Sequence, residues 1–103
     1  MTRTFDAIIV GAGQAGPALA ARLTGLGKTV AIIERHLVGG TCVNTGCKPT
    51  KTLVASASVA RFAQRGAEYG VGVGPVSIDM PVVAARAQKV ILDSRKGNEN
   101  WLA

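Results

Sequence analysis

The strongest constraint on this chain is a mostly apolar run, Phe5 to Val10, that ends abruptly in Gly11-Ala12-Gly13-Gln14-Ala15-Gly16. A short apolar run closed by glycine suits a buried strand. Residues 14–26 are rich in Ala and Leu, with Leu19, Leu23 and Leu26 at helical spacing and Gly27 as a natural stop. Thr29 to Ile33 is again β-branched and apolar, and Glu34 stands at its end. Strand, helix and strand in this order form a βαβ unit, with parallel pairing and a right-handed crossover. The predicted fold class is therefore α/β. Composition agrees: hydrophobic residues make up 48% of the chain but aromatics only 4%, so the core must be built from Ala, Val, Ile and Leu.

Each glycine of the loop has a separate task in a dinucleotide-binding fingerprint. Gly11 permits the tight turn out of the strand, Gly13 lets the backbone approach a pyrophosphate, and Gly16 lets the helix pack closely on the sheet. Phosphates would sit at the helix N-terminus, where free N–H groups favour negative charge. Glu34 falls where the ribose hydroxyls of an adenosine would be held, and its carboxylate would repel a 2′-phosphate. The bland reading of the same residues is a glycine-rich turn and a solvated glutamate at a strand end.

Beyond Glu34, residues 36–49 read as a glycine-rich connection that contains both cysteines, Cys42 and Cys47. Thr50 to Arg65 reads as a helix with Leu53, Ala57, Ala60 and Gln64 along one side. Residues 66–81 are irregular, with a short strand expected near Val76 to Ile78. Asp79 and Pro81 resemble a helix start, and Val83, Ala87, Val90 and Ile91 continue an apolar stripe. The chain reaches Trp101-Leu102-Ala103 without a clear closing element, and no internal repeat is visible.

In a regular helix, residues five apart have Cα atoms roughly 8–9 Å from each other, beyond the limit of about 7 Å for a disulfide. A bridge between Cys42 and Cys47 therefore requires a break in the helix. Gly46 loosens the backbone there, and Pro49 is expected to push Lys48 away from helical angles. Cys47 would then lie just ahead of a helix N-terminus, near Lys48 and Lys51, an environment that favours the thiolate. So short a loop gains little stability from a bridge, so redox chemistry is the preferred reading. Two inert core thiols, half of a metal site and a structural disulfide remain as alternatives. His36, the one histidine, has no common zinc spacing from Cys42 and reads as a surface or turn residue.

The formal net charge is +6. It suits attraction to phosphates, but no basic stripe interleaved with aromatics marks a nucleic-acid surface, and nucleic acid is not an expected partner. No apolar run approaches a membrane span. The N-terminal run leads straight into the glycine loop and is read as a strand, not a signal peptide. A cytoplasmic location is expected.

Together, Gly11-x-Gly13-x-x-Gly16, Glu34 and the run Gly39-Gly40-Thr41-Cys42-Val43-Asn44-Thr45-Gly46-Cys47-x-Pro49-Thr50-Lys51 closely resemble the class I pyridine nucleotide-disulfide oxidoreductases. That group includes dihydrolipoyl dehydrogenase, glutathione reductase and mercuric reductase. Thr50-Lys51 looks more like the dihydrolipoyl dehydrogenase and mercuric reductase branches. The resemblance covers nearly the whole chain, and it implies a Rossmann-like FAD-binding unit within a longer flavoprotein.

By that resemblance, Gly11, Gly13, Gln14, Ala15, Gly16 and Glu34 would hold the ADP half of FAD, with Arg35, Gly40 and Thr41 also against the cofactor. Cys47 would face the flavin and form a charge-transfer thiolate, and Cys42 would be the interchange thiol that meets substrate. Lys51 would stabilise reduced flavin. Electrons would pass from NADH or NADPH to FAD, to the Cys42–Cys47 disulfide, and on to a small-molecule disulfide or a metal ion such as Hg(II). Lys48 departs from the family pattern, and an added cation there would lower the Cys47 pKa further or be neutral.

Residues 1–103 are expected to form the N-terminal part of the FAD-binding domain. The NAD(P)-binding and dimerisation domains of a homodimeric enzyme would lie outside it, so the chain alone is expected to be inactive. Readings from other classes are a non-catalytic dinucleotide-binding module and a small soft-metal-binding protein.

Overall fold

A computed structural model describes all 103 residues, Met1 to Ala103. Two strands, β1 (Ala7–Val10) and β2 (Val30–Ile33), pair in parallel, with Ala7 opposite Val30 and Val10 opposite Ile33. Helix α1 (Ala15–Gly25) makes the crossover between them. The βαβ unit thus forms where the hydrophobic pattern places it, with β1 starting two residues later than Phe5. Gly27, at φ 76°, ends α1, and the Gly27 and Lys28 N–H groups donate to the carbonyls of Thr24 and Leu23. Below the sheet, Asp6 accepts hydrogen bonds from both the N–H and the hydroxyl of Thr29, tying the two strand entrances together.

The expectation of a buried β1 holds for one face only. Ile9 points toward α1, in reach of Gly16, whereas Ile8 and Val10 are 60% and 84% exposed. Side chains alternate across a strand, and α1 covers a single side of this two-stranded sheet. Leu19 and Leu26 are likewise exposed.

The segment predicted as a connection contains a short helix, α2 (Gly40–Asn44). Next comes α3 (Cys47–Gln64), which begins three residues earlier than its pattern suggests and takes in Lys48 and Pro49. Pro49 sits in the first turn, where its missing N–H costs nothing, so it does not expel Lys48 from the helix. The break is confined to Gly46, the other residue expected to loosen it, at φ −124° and ψ −109°. A single 3-10 turn (Gly66–Tyr69) follows, and Gly70 closes it at φ 74°.

No strand forms near Val76 to Ile78. That stretch, together with Leu53, Ala57, Ala60 and Ala63 of α3, lines an open apolar groove of about 700 Å³. The apolar side predicted for α3 therefore borders the groove; its buried side is marked by Thr52. Helix α4 (Met80–Leu102) starts where Asp79 accepts a hydrogen bond from the Val82 N–H at 3.1 Å, with Pro81 in the first turn. It runs to the end of the chain, with Ala87 buried and Val83, Val90 and Ile91 half-buried as the stripe requires.

The molecule is elongated, 67 × 25 × 17 Å. No helix is long and apolar enough to cross a membrane. The best-packed region is the junction of α2, α3 and α4 around Val43, 2% exposed.

Two glycines respond oppositely to an added methyl. A Cβ on Gly16 would collide with the Gly11 carbonyl, whereas one on Gly97, within α4, meets nothing within 4 Å. Gly16→Ala is expected to destabilise by about 1–3 kcal/mol through overpacking, and Gly97→Ala to stabilise by about 1 kcal/mol through helix propensity. Urea unfolding followed by circular dichroism reads both signs.

Candidate functional site

Two loops at the carboxyl end of the sheet are drawn together. β1 hands over to the glycine loop through Gly11, whose φ of 107° excludes most side chains. The Gly11 N–H donates to the Ile33 carbonyl at 2.7 Å, which keeps the loop on the sheet. Gly39, at the head of α2, then donates to the Ala12 carbonyl at 2.8 Å. A Cβ on Gly40 would stand 2.9 Å from the Gly13 Cα, so the two backbones approach as closely as glycines allow.

Glu34 closes the same junction from the end of β2. One carboxylate oxygen accepts from the Ala12 N–H at 2.9 Å and the other from the His36 N–H at 3.0 Å. These two bonds, the Ala12 one first, hold the Glu34 carboxyl below the usual glutamate range, with Arg35 contributing a smaller electrostatic pull. Its observed partners are thus backbone amides. The side chain is half-buried and borders an open cleft shared with Ala12, Val38 and residues of α1 and β2. Arg35 and His36 are exposed.

The first turn of α1 has no competing anion of its own. Gln14 occupies the cap position without a side-chain hydrogen bond, and no acidic residue follows in the first turn. A Cβ on Gly13 would meet nothing within 4 Å. The loop therefore presents free N–H groups beside an open space, the arrangement that a pyrophosphate requires. Gln14 and Ala15 are exposed at its rim, Gly16 is buried beneath it, and Gly40 and Thr41 border it from α2.

Cys42 and Cys47 form a disulfide with Cα atoms 4.5 Å apart. They lie on different helices, Cys42 inside α2 and Cys47 as the first residue of α3, which resolves the spacing problem of a continuous helix. Gly46 makes the link so tight that a Cβ there would fall 2.9 Å from the Thr41 carbonyl. Cys42 is half-buried and Cys47 exposed, with Lys48 and Lys51 exposed beside it. Lys51 is one helical turn beyond Cys47, on the same face of α3. The cysteines are therefore neither separate thiols nor buried core residues. No group of three His, Cys, Asp or Glu residues surrounds them.

The structure also brings in residues that the motif reading does not use. The Asn44 amide donates to the carbonyls of Val38 and Gly40 at 3.1 and 2.9 Å, and its oxygen accepts from Arg95 Nε of α4 at 2.8 Å. Arg86, also on α4, donates to the Thr52 carbonyl at 3.0 Å. Asn44 stands inside the cysteine motif, but its partner is 51 positions away, and no local pattern signals that pairing.

Comparison with known proteins agrees with this geometry. Residues 5–101 match the family model for pyridine nucleotide-disulphide oxidoreductases. The chain belongs to this family. It is similar to proteins named dihydrolipoyl dehydrogenase: 40% identical over 98 residues to that of Chlorobaculum parvum, covering 95% of this chain and 21% of the relative. Against that of Chlamydia pneumoniae it is 36% identical over 102 residues, 99% of this chain and 22% of the relative. Against that of Bacillus subtilis it is 37% identical over 91 residues, 88% of this chain and 19% of the relative. The chain thus spans about a fifth of the length of these curated relatives.

Within this oxidoreductase family fold, Glu34 makes the glycine junction acid-sensitive. A carboxyl whose pKa is depressed by folding contributes stability above its unfolded value and loses it as pH falls through the folded value. Asp6 is depressed in the same way by the Thr29 N–H and hydroxyl. Thermal melting from neutral pH to about pH 2 should show stability falling below the ordinary carboxylate range. Glu34→Gln should melt earlier at neutral pH, because a carboxamide oxygen can accept at only one of the two positions, and should flatten the acid limb. An acid limb unchanged in Glu34→Gln would contradict the assignment.

Proposed function

We propose that this chain is the FAD-binding and redox-disulfide part of a flavin-dependent oxidoreductase that exchanges electrons with a small dithiol or disulfide. The observation that carries the reading is the joining, through Glu34 and the Gly13–Gly40 approach, of a glycine-lined phosphate cradle to a disulfide that straddles two helices. Neither half alone has this meaning. Family membership supplies FAD as the dinucleotide and NADH or NADPH as the second electron carrier, and homodimeric assembly of the whole enzyme belongs to the same proposal. The name carried by the relatives makes a dihydrolipoyl dithiol the proposed partner. The dihydrolipoyl name of the relatives favours a disulfide over Hg(II) as substrate, and the disulfide set beside the glycine-lined cradle favours the redox reading over a small soft-metal-binding protein.

The residues divide the work by position. Gly11, Gly13 and Gly16 shape the cradle, with Gln14 and Ala15 offering the first N–H groups of α1 to the phosphates. Glu34 orients the loop through Ala12 and keeps lone pairs for ribose hydroxyls, with Arg35 at the same strand end. Gly40 and Thr41 carry the cofactor's path toward Cys47, and Lys51 supplies positive charge one turn further on. When bound, the flavin supplies or withdraws an electron pair.

In the oxidative direction, one sulfur of a substrate dithiol attacks Cys42, the Cys42–Cys47 bond breaks, and Cys47 leaves as a thiolate at the N-terminus of α3. That position and the neighbouring Lys48 and Lys51 favour the anion. The second substrate sulfur then displaces Cys42, and substrate departs as a disulfide, leaving two cysteine thiols. Two electrons and two protons have moved from substrate to the pair.

Gly13→Val separates binding from folding, because a Cβ at this position meets nothing within 4 Å. It should lower FAD affinity, read by quenching of flavin fluorescence, by at least tenfold while leaving the melting temperature near that of the native chain. Cys42→Ser and Cys47→Ser should retain FAD binding and lose thiol–disulfide exchange. Native protein that fails to bind FAD, or Gly13→Val that binds it normally, overturns the reading.

A further inference from the structure

Resting on the redox role of Cys42–Cys47, we propose that Asn44 and Arg95 form a positioning pair that holds the two cysteines opposite each other in the reduced state and so sets the dithiol–disulfide equilibrium. Asn44 is the last residue of α2, two positions beyond Cys42. Its side chain makes three hydrogen bonds: both amide hydrogens go to the chain entering α2, at Val38 and Gly40, and the oxygen receives Arg95. Arg95 has no carboxylate partner, since the ion pairs of this chain are Arg65–Glu68 and Lys89–Asp93. Its Nε is committed to Asn44, so α2 is fastened to α4 through one side-chain pair.

α3 has a separate anchor on the same helix. Arg86 donates to the Thr52 carbonyl, and the buried Thr52 hydroxyl donates back to the Lys48 carbonyl at 2.8 Å, inside the turn that starts with Cys47. Arg86 and Arg95 are nine positions apart, about 13 Å along α4. One cysteine-bearing helix is thus held near each end of this span, and Gly46 is the non-helical residue that joins them.

The consequence appears when the bond opens. Reduction by two glutathione thiols converts the Cys42–Cys47 bond to two thiols and yields one glutathione disulfide, with two electrons and two protons transferred. If α2 and α3 stay docked on α4, the thiols remain face to face at a high effective concentration, and the pair re-oxidises readily. Released from Arg95, the end of α2 next to Gly46 is held only by the packing of Val43 and gains freedom to move away from Cys47. The effective concentration then falls and the equilibrium shifts toward the dithiol.

The test uses the full 103-residue chain in glutathione redox buffers, with acid quenching and mass-tagging of free thiols. Asn44→Ala and Arg95→Ala should each raise the equilibrium constant for reduction about tenfold, equivalent to about 30 mV. The double variant should match the single ones, because the two residues act as a unit. Arg95→Lys, which keeps a charged donor, should return most of the native value. Arg95→Gln leaves Asn44 and its bonds to Val38 and Gly40 in place, and serves as the reading should Asn44→Ala not fold.

Ala20→Gly in α1 lowers stability far from the pair and should leave the constant within twofold. Native-like constants in folded Arg95→Ala and Arg95→Gln, or an equal shift in Ala20→Gly, overturn the proposal. Because glutathione supplies the electrons, a native chain that fails to bind FAD would defeat the flavoenzyme reading without altering this comparison.

Discussion

Glu34 holds the Ala12 and His36 N–H groups with its two carboxylate oxygens, and the organisation of the functional end of this molecule depends on that bridge. It fixes where the chain leaves β2 relative to where it leaves β1. With both exits set, the Gly39 N–H reaches the Ala12 carbonyl and the backbones at Gly13 and Gly40 come into contact. A larger residue at position 40 would wedge the loops apart and carry α2, with Cys42, away from the glycine loop. The same carboxylate oxygens are then positioned beside the space into which a dinucleotide would fit.

Around this junction the chain keeps its helix N-termini free of internal anions. α1, α2 and α3 all begin without a side-chain cap and without an acidic residue in the first turn. By contrast, α4, whose N-terminus lies away from the glycine loop and the disulfide in sequence, is capped conventionally by Asp79. An uncapped N-terminus leaves N–H groups and a positive dipole end without a partner, a cost to the isolated fold that an anionic ligand or a thiolate offsets. α4 thus differs from the other three helices in having a side-chain partner for its first N–H groups.

α4 has a different task. Its apolar stripe packs on α2 and α3 around Val43 and Ala87, while Arg86 and Arg95 reach the backbone of α3 and the side chain of Asn44. The disulfide therefore lies on a platform of three helices instead of in a loose connection. The apolar faces left open elsewhere, on Ile8 and Val10 of β1 and along the groove between α3 and the segment leading to α4, accord with a chain that spans about a fifth of its relatives' length.

Sequence alone was sufficient for the βαβ unit, the glycine loop, the family and the need for a break between Cys42 and Cys47. Each of these follows from signals within a short window: strand and helix periodicity, glycine positions, and the reach of a five-residue interval. It was also sufficient for the start of α4 at Asp79 and Pro81 and for the stripe of Val83, Ala87, Val90 and Ile91. It placed Gly46 at the break but wrongly extended the break to Lys48, because Pro49 is compatible with the first turn of a helix. It offered a strand at Val76 to Ile78, where β-branched residues have no neighbouring strand to pair with. Only the tertiary structure decided that Glu34 bonds Ala12, that Gly40 lies against Gly13, and that Arg95 meets Asn44. These contacts join residues 22, 27 and 51 positions apart, and over such separations the packing of whole elements, not any local pattern, determines which groups meet.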